Sequence, residues 1–311
     1  MQIRCPHCHN AIELLKGSTL TKISCHSCGN DFNLNLDETM IHTSSQSPDA
    51  DTSHSQVAHF QLLEILGTGA FGSVWRAHDE KLDRIVALKI PRREQLSDAD
   101  SEQFLREARA AAQLQHPNIV AVHEVGQENG SVYIVSDFIA GVSMDEWLVA
   151  HHSHIDEVIG ICVKLAKSLQ HAHEYGIIHR DLKPANVLID QAGEPHLTDF
   201  GLAKRVASEI TMTVQGHILG TPAYMPPEQA AGDAHHADSR SDVYSLGVIM
   251  YEGLTGEKPF RGNVSGVLKQ VLYEEPQSPR TLDQHLPRDL ETITLKCLEK
   301  NLPDVFRRHK I

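Results

Sequence analysis

His179-Arg180-Asp181-Leu182-Lys183-Pro184-Ala185-Asn186 runs into Val187-Leu188-Ile189, the turn Asp190-Gln191-Ala192-Gly193, then His196-Leu197-Thr198 and Asp199-Phe200-Gly201. Two short β-prone runs around a turn-forming Asp-x-x-Gly predict a hairpin from Val187 to Thr198. A hairpin returns the chain to where it began, so Asn186 comes to lie beside Asp199. Two oxygen-bearing side chains then converge on one point, just after Asp181 and Lys183. Asp190, taken by itself, is a turn former.

Upstream, Phe60 to Leu66 alternates like a strand and leads into Gly67-Thr68-Gly69-Ala70-Phe71-Gly72. G-x-G-x-x-G alone is shared with dinucleotide-binding folds, where the third glycine opens a helix. Here Ser73-Val74-Trp75-Arg76-Ala77 continues as a strand, so the glycines read as a hairpin lid whose amides approach phosphates, over ATP and not NAD. Ile85-Val86-Ala87-Leu88-Lys89-Ile90 is a further strand. A lysine in such a strand is ordinary in isolation, but the helix predicted from about Asp98 to Gln115 offers it a partner. Its apolar stripe is Phe104, Ala108, Ala111 and Ala112, and Glu107 falls within that stripe. A carboxylate there needs a cation, and the expectation is an ion pair with Lys89 that a helix rotation would break. Beyond Gly141 the pattern becomes mainly helical, with helices at about Ile155–Tyr175 and Asp242–Thr255.

The ordered set of a glycine loop, Lys89, His-Arg-Asp-Leu-x-x-x-Asn and Asp-Phe-Gly resembles the signature of protein kinases. The bacterial serine/threonine kinases look closest, and the resemblance covers about Phe60 to Asn301. It implies an α+β, bilobal kinase-like fold, with a β-rich lobe carrying one helix and a mainly α second lobe. It implies ATP held by Leu66, Gly67, Thr68, Gly69, Ala70, Phe71, Gly72, Ser73, Val74, Ala87, Lys89, Glu107 and Ser136. Asp181 would accept the substrate hydroxyl's proton, and Lys183 would neutralise charge on the γ-phosphoryl group. Asn186 and Asp199 would hold Mg²⁺, or Mn²⁺ in its place. Lys183 in Asp-Leu-Lys-Pro-Ala-Asn is the form of serine/threonine kinases, which makes protein Ser and Thr hydroxyls the expected acceptors. The same resemblance makes Arg180 the reader of a phosphate on Thr211 or Thr213, Thr221 a support for Asp181, and Asp242 the buried anchor of the catalytic loop.

Two departures stand out. The residue guarding the rear of the nucleotide pocket is the small Ser136, which predicts an open back pocket. The family supplies an Arg near the end of the lobe to pair with Glu228, expected buried, yet Leu302-Pro303-Asp304-Val305-Phe306-Arg307-Arg308 puts Val305 there. Arg307 and Arg308 are the possible substitutes, and Ile311 falls before the last helix of such a lobe, so the C-terminal end is expected to be incomplete. These departures keep a second reading open, an inactive or weak kinase-fold scaffold acting through docking.

The 311 residues carry 28 Lys and Arg against 41 Asp and Glu, a formal charge of -13, which excludes bulk attraction to nucleic acid as the main business. Three zones divide the chain: a zinc ribbon at 1–36, a polar linker at 37–58 expected to be disordered, and a kinase domain at 59–311. Cys5-Pro6-His7-Cys8 and Cys25-His26-Ser27-Cys28, with 16 residues between them, have the spacing of a four-thiolate Zn²⁺ site. Leu14, Leu15, Leu20 and Ile23 are the expected strand residues between the turns. Four sulfurs close the coordination sphere, so a catalytic zinc with an open position is not expected and the module is read as structural or for docking. Cys162 and Cys297 sit in helical apolar patterns as inert thiols. No apolar run approaches the ~20 residues of a membrane span, and the start lacks a signal-like segment, so the expected location is cytoplasmic.

Overall fold

The structure, a computed structural model, describes residues 2–4, 11–13, 22–24, 31–33, 56–69, 72–91, 98–128, 131–150, 155–200, 222–233 and 237–300. The chain divides into two compact units, Met1–Ser53 and His54–Ile311. In the first, β1 (Gln2–Arg4) pairs antiparallel with β2 (Ala11–Glu13), and β3 (Lys22–Ser24) with β4 (Asp31–Asn33). Of the expected strand residues, Ile23 lies in β3, while Leu14, Leu15 and Leu20 lie outside the described residues. So do all four paired cysteines: Cys5 and Cys8 fall in sequence between β1 and β2, Cys25 and Cys28 between β3 and β4. Among the described residues no cluster of three or more His, Cys, Asp or Glu is placed to hold a metal.

The second unit opens on a six-stranded antiparallel sheet. Its strands are β5 (Gln56–Val57), β6 (Phe60–Gly69), β7 (Gly72–Asp79), β8 (Arg84–Pro91), β9 (Val122–Glu128) and β10 (Ser131–Asp137), in the order β5-β6-β7-β8-β10-β9. β5 corrects the linker boundary: Gln56 to Ala58 are ordered, with Val57 opposite Phe60 and both Val57 and Ala58 packed on the Phe60 core. One apolar pair at the edge outweighs the polar composition of the preceding stretch. One face of the sheet buries Phe60, Leu62, Ala77, Val86, Leu88, Tyr133 and Val135. The other receives α1 (Asp98–Ala111), whose Phe104 and Ala108 pack on Val132 and Ile134. The helix ends four residues before Gln115, and Ala112, expected in its stripe, is exposed beyond that end.

The helical part begins with β11 (Gly141–Ser143), α2 (Met144–Ala150) and α3 (Ile155–Glu174). β12 (Val187–Asp190) and β13 (Pro195–Leu197) complete a three-stranded sheet with β11. Then come α4 (Pro227–Ala230), α5 (Ser239–Thr255), α6 (Val264–Tyr273), α7 (Pro279–Leu282) and α8 (Arg288–Cys297). α5 is the core helix: Tyr244, Val248, Ile249 and Tyr251 are buried, and so is Asp242 at 0 % exposure. Asp238 caps its start by accepting the N–H of Arg240, and Gly256 ends it at φ 71°. α3 can cross it closely because a Cβ at Gly253 would stand 2.6 Å from Val158 Cγ1. Cys162 is buried on α3, and burial pushes its thiol up to about 12, which makes it a packing residue. No helix among the described residues is long and apolar enough to cross a membrane.

Candidate active site

The hairpin forms with Val187 opposite Leu197 and Ile189 opposite Pro195. Its tip is held by Asp190, whose Oδ1 accepts the N–H groups of Ala192 (2.9 Å) and Glu194 (2.8 Å). At its open end the Thr198 N–H donates to the Asn186 carbonyl at 3.0 Å. That bond puts Asn186 and Asp199 side by side at the two ends of one ribbon. Asn186 sits in a 3-10 turn, Pro184–Asn186, and its Nδ2 donates to the Asp181 carbonyl (2.8 Å) and to Asp181 Oδ2 (3.1 Å). Lys183 Nζ reaches the same Oδ2 at 2.7 Å. Asp181, Lys183, Asn186 and Asp199 therefore form one cluster.

The turn from β13 into this cluster is strained. Asp199 has φ 64° and Arg180 φ 65°, left-handed values that side chains with a Cβ rarely adopt. The strain at Arg180 is held from below. Asp242 Oδ1 accepts the Arg180 N–H, and Oδ2 accepts both the His179 N–H (2.9 Å) and Nε2–H of His173 (2.7 Å). From above, Gln229 donates to the Arg180 carbonyl at 3.0 Å. His179, fully buried, donates from Nε2 to the Thr198 carbonyl at 2.9 Å, and its ring packs at a tilt against Phe200 with centroids 4.7 Å apart. Nε of Arg180 is buried without a hydrogen-bond partner among the described residues.

The sheet delivers its share by register. Val74, Lys89 and Ile134 form one cross-strand row; Arg76, Ala87 and Ser136 form the next on the same face. This is the face that α1 covers, whereas Trp75, Leu88 and Val135 go to the opposite core. Lys89 Nζ leaves the row to meet Asp199 Oδ1 at 2.7 Å. The salt bridge of Lys89 is thus with Asp199, not the direct pair with Glu107 that the sequence suggests; Glu107 is half-buried on α1. Burial opposes ionisation of Asp199, but the Lys89 ammonium, with His179 and Lys183 beyond it, outweighs this and holds the carboxyl below its ordinary range.

Of the glycine loop, Leu66, Gly67, Thr68, Gly69, Gly72, Ser73 and Val74 are in β6 and β7, with Thr68 opposite Ser73. Gly72, at φ 143°, allows a close approach: a Cβ there would stand 2.1 Å from the Ile90 carbonyl oxygen. Ala70, Phe71, Thr211, Thr213 and Thr221 lie outside the described residues, as does 301–311 with Val305, Arg307 and Arg308. Glu228 differs from expectation. It is half-buried and accepts a hydrogen bond from Ser241 Oγ on α5. A cavity of about 650 Å³ between α3 and the start of α5, reaching His173 and Val243, shares no lining residue with this cluster.

Sequence reasoning missed the role of the stretch His116-Pro117-Asn118, which grips β13 through backbone and side-chain bonds. Its polarity next to an apolar helix end was the available signal.

The model of the protein kinase domain matches residues 60–304. The chain is 38% identical over 255 residues to the serine/threonine-protein kinase PrkC of Bacillus subtilis, covering 81% of this chain and 38% of that protein. It is 38% identical over 250 residues to the serine/threonine-protein kinase PknB of Mycobacterium tuberculosis, covering 78% and 40%. The chain thus spans about two fifths of the length of these relatives. Among solved structures, the PknI kinase domain of Mycobacterium tuberculosis superposes with a TM-score of 0.65 at 26% identity, over 83% of this chain and 94% of that one.

Proposed function

The chain belongs to the protein kinase family, and on that premise we propose that it transfers the γ-phosphoryl group of ATP to Ser and Thr hydroxyls of proteins, its own activation segment included. The observation that carries this reading is the closure of the hairpin, Thr198 N–H on the Asn186 carbonyl, with Lys89 brought across from the sheet onto Asp199. Both ends of the ribbon offer hard oxygen donors. Asn186 spends its amide nitrogen on Asp181, which leaves Oδ1, and Asp199 is held in its ionised form. That donor set suits Mg²⁺, with Mn²⁺ as a substitute. Bound there, the metal would neutralise charge on the β- and γ-phosphates.

The chain's own groups do the rest by positioning. Asp181 takes the hydrogen bond of the acceptor hydroxyl and aims its oxygen; Lys183, already on Asp181, neutralises charge on the transferring group. Lys89 is the cation for the α- and β-phosphates, and Gly67 to Gly72 form the lid above them. Exchange of Lys89 between Asp199 and Glu107 is the step through which movement of α1 switches activity. The partnerless Nε of Arg180 supports its reading as the receiver of a phosphate on Thr211 or Thr213, with Thr221 supporting Asp181. At the other end, Cys5, Cys8, Cys25 and Cys28 hold one structural Zn²⁺ in a ribbon that docks a protein partner, 37–55 serves as the linker, and the protein works in the cytoplasm without binding nucleic acid.

Incubation of the purified chain with Mg²⁺ and labelled ATP tests the central step. Self-labelling that disappears in Asp181→Asn is the expected result. Persistent absence of label in the wild type would overturn it and leave a docking scaffold.

A further inference from the structure

The loop 112–121 joins α1 to β9 and is tied to two other elements. His116 Nδ1 accepts the N–H of Asn118 at 3.1 Å and faces Ser168 Oγ of α3 at 3.3 Å. An N–H cannot donate to a nitrogen that carries its own proton, so the neutral ring holds its proton on Nε2. Asn118, 8 % exposed, donates from Nδ2 to the Pro195 carbonyl at 2.8 Å, and its own carbonyl accepts the Leu197 N–H at 2.9 Å. The Val120 N–H returns to the Leu197 carbonyl at 2.9 Å. These three bonds hold β13 two residues before Asp199.

The surroundings of His116 are cationic or neutral. The His171 ring on α3 lies 5.5 Å away, its Nε2 buried and without a hydrogen-bond partner among the described residues, and the Tyr175 ring packs at a tilt 5.0 Å beyond it. Lys167, one turn before His171, adds a positive charge. The carboxylates of the β12–β13 hairpin are already engaged, Asp190 by His196 at 3.0 Å and Glu194 by Lys164 at 2.6 Å. Among the described residues no carboxylate is paired with either ring.

We propose that His116 is a positioning residue for Asp199 that works only in its neutral form, so that the loop 116–120 is a proton-operated latch on the strand leading to Asp199. A proton on Nδ1 turns the acceptor into a donor facing the Asn118 N–H. That bond is then lost, and with it the alignment of Asn118 on Pro195 and Leu197. Burial, then His171 and Lys167, hold the imidazole below its ordinary 6.5. The fold therefore favours the neutral ring: the latch is closed above pH 6.5 and opens as pH falls below it.

The effect on phosphoryl transfer rests on the kinase reading, whereas the latch itself does not, and the test separates them. Amide hydrogen exchange of the full chain, corrected for intrinsic rates, is compared at pH 7.5 and 5.0. In the wild type the Asn118 and Leu197 amides lose tenfold or more of their protection at the lower pH, while the Leu88 amide does not. In His116→Gln, which keeps an acceptor but cannot titrate there, the dependence disappears. Lys167→Gln moves the midpoint to higher pH. Wild-type protection that is equal at both pH values, or lost alike in His116→Gln, overturns the proposal. Should His116→Gln fail to fold, an unmoved midpoint in Lys167→Gln overturns it instead. Phosphorylation of a protein substrate is followed over the same range. Exchange as described without transfer at any pH keeps the latch and removes the kinase reading; transfer with flat exchange does the reverse.

Discussion

Oδ1 of Asp242 accepts the backbone N–H of Arg180 at 2.9 Å, and Arg180 is held at φ 65° by it. Such a backbone conformation costs about 1–3 kcal/mol, and the carboxylate that offsets it is fully buried on the core helix. Hydrogen bonds to a charged partner contribute about 1.5–3 kcal/mol each. Asp242→Asn leaves one backbone N–H facing an amide NH₂, so the expected loss is about 3 kcal/mol of stability, read as a lower urea midpoint with an unchanged m-value. An unaltered midpoint would show that Arg180 holds its conformation without this anchor.

The acid limb of stability follows from the Lys89–Asp199 pair. Asp199 has a folded pKa below the unfolded carboxylate value, so its contribution is present above about pH 3.9 and is lost as pH falls toward the lowered value. Thermal unfolding followed from pH 5 to pH 3 should show a steeper decline for the wild type than for Asp199→Asn. Parallel curves would mean that the ammonium does not hold the carboxylate in solution.

Ser136 stands opposite Ala87 in the row beside Lys89, and both side chains are small. An ATP analogue with a bulky substituent on the adenine amino group should inhibit the wild type on the order of tenfold better than Ser136→Met, the range that shape exclusion in a pocket supplies. Equal inhibition of the two proteins would remove the open back pocket.

Arg180, with a buried nitrogen that lacks a partner among the described residues, predicts a phosphate requirement. Replacing Thr211 and Thr213 together by Ala should lower substrate phosphorylation about tenfold or more, within the usual coupling of a switch to its readout. Mass spectrometry of the wild type should find phosphate on one of the two. Full activity of the double variant would count against both threonines.

The four paired cysteines predict one zinc per chain by elemental analysis. Cys8→Ser should abolish it, and chelation should unfold 1–36 while leaving the melting of the kinase domain in place. Zinc retained by Cys8→Ser would exclude the four-thiolate site.

Much of the fold was legible because its signals are local. The period-2 runs of β6 to β8, the apolar pattern of α3 and the Asp-x-x-Gly turn of the hairpin each depend on neighbours in sequence. Asn186 and Asp199 could be placed together because a hairpin returns the chain to where it began, while the roles of Asp181 and Lys183 came from the family resemblance. The partner of Lys89 did not follow. Choosing between Glu107 and Asp199 depends on how α1 is rotated against the sheet, and an apolar stripe fixes a helix face more loosely than a salt bridge requires. β5 was hidden because composition marks a linker by its average, while two residues suffice to extend a sheet edge. Glu228 was expected buried from its partner in the family; exposure is set by packing around α4, which no motif records.

Asn186 and Asp199 are brought together within the helical half by the Thr198 N–H on the Asn186 carbonyl, whereas Lys89 arrives from the sheet. Separating the two halves would break that ion pair and the three bonds of the loop 116–120 on β13, while the β12–β13 ribbon itself would still carry both oxygen donors. On the proposed reading, affinity for a divalent ion and affinity for a nucleotide's phosphates would be separable, the first carried by one ribbon and the second drawing also on Lys89 of the sheet.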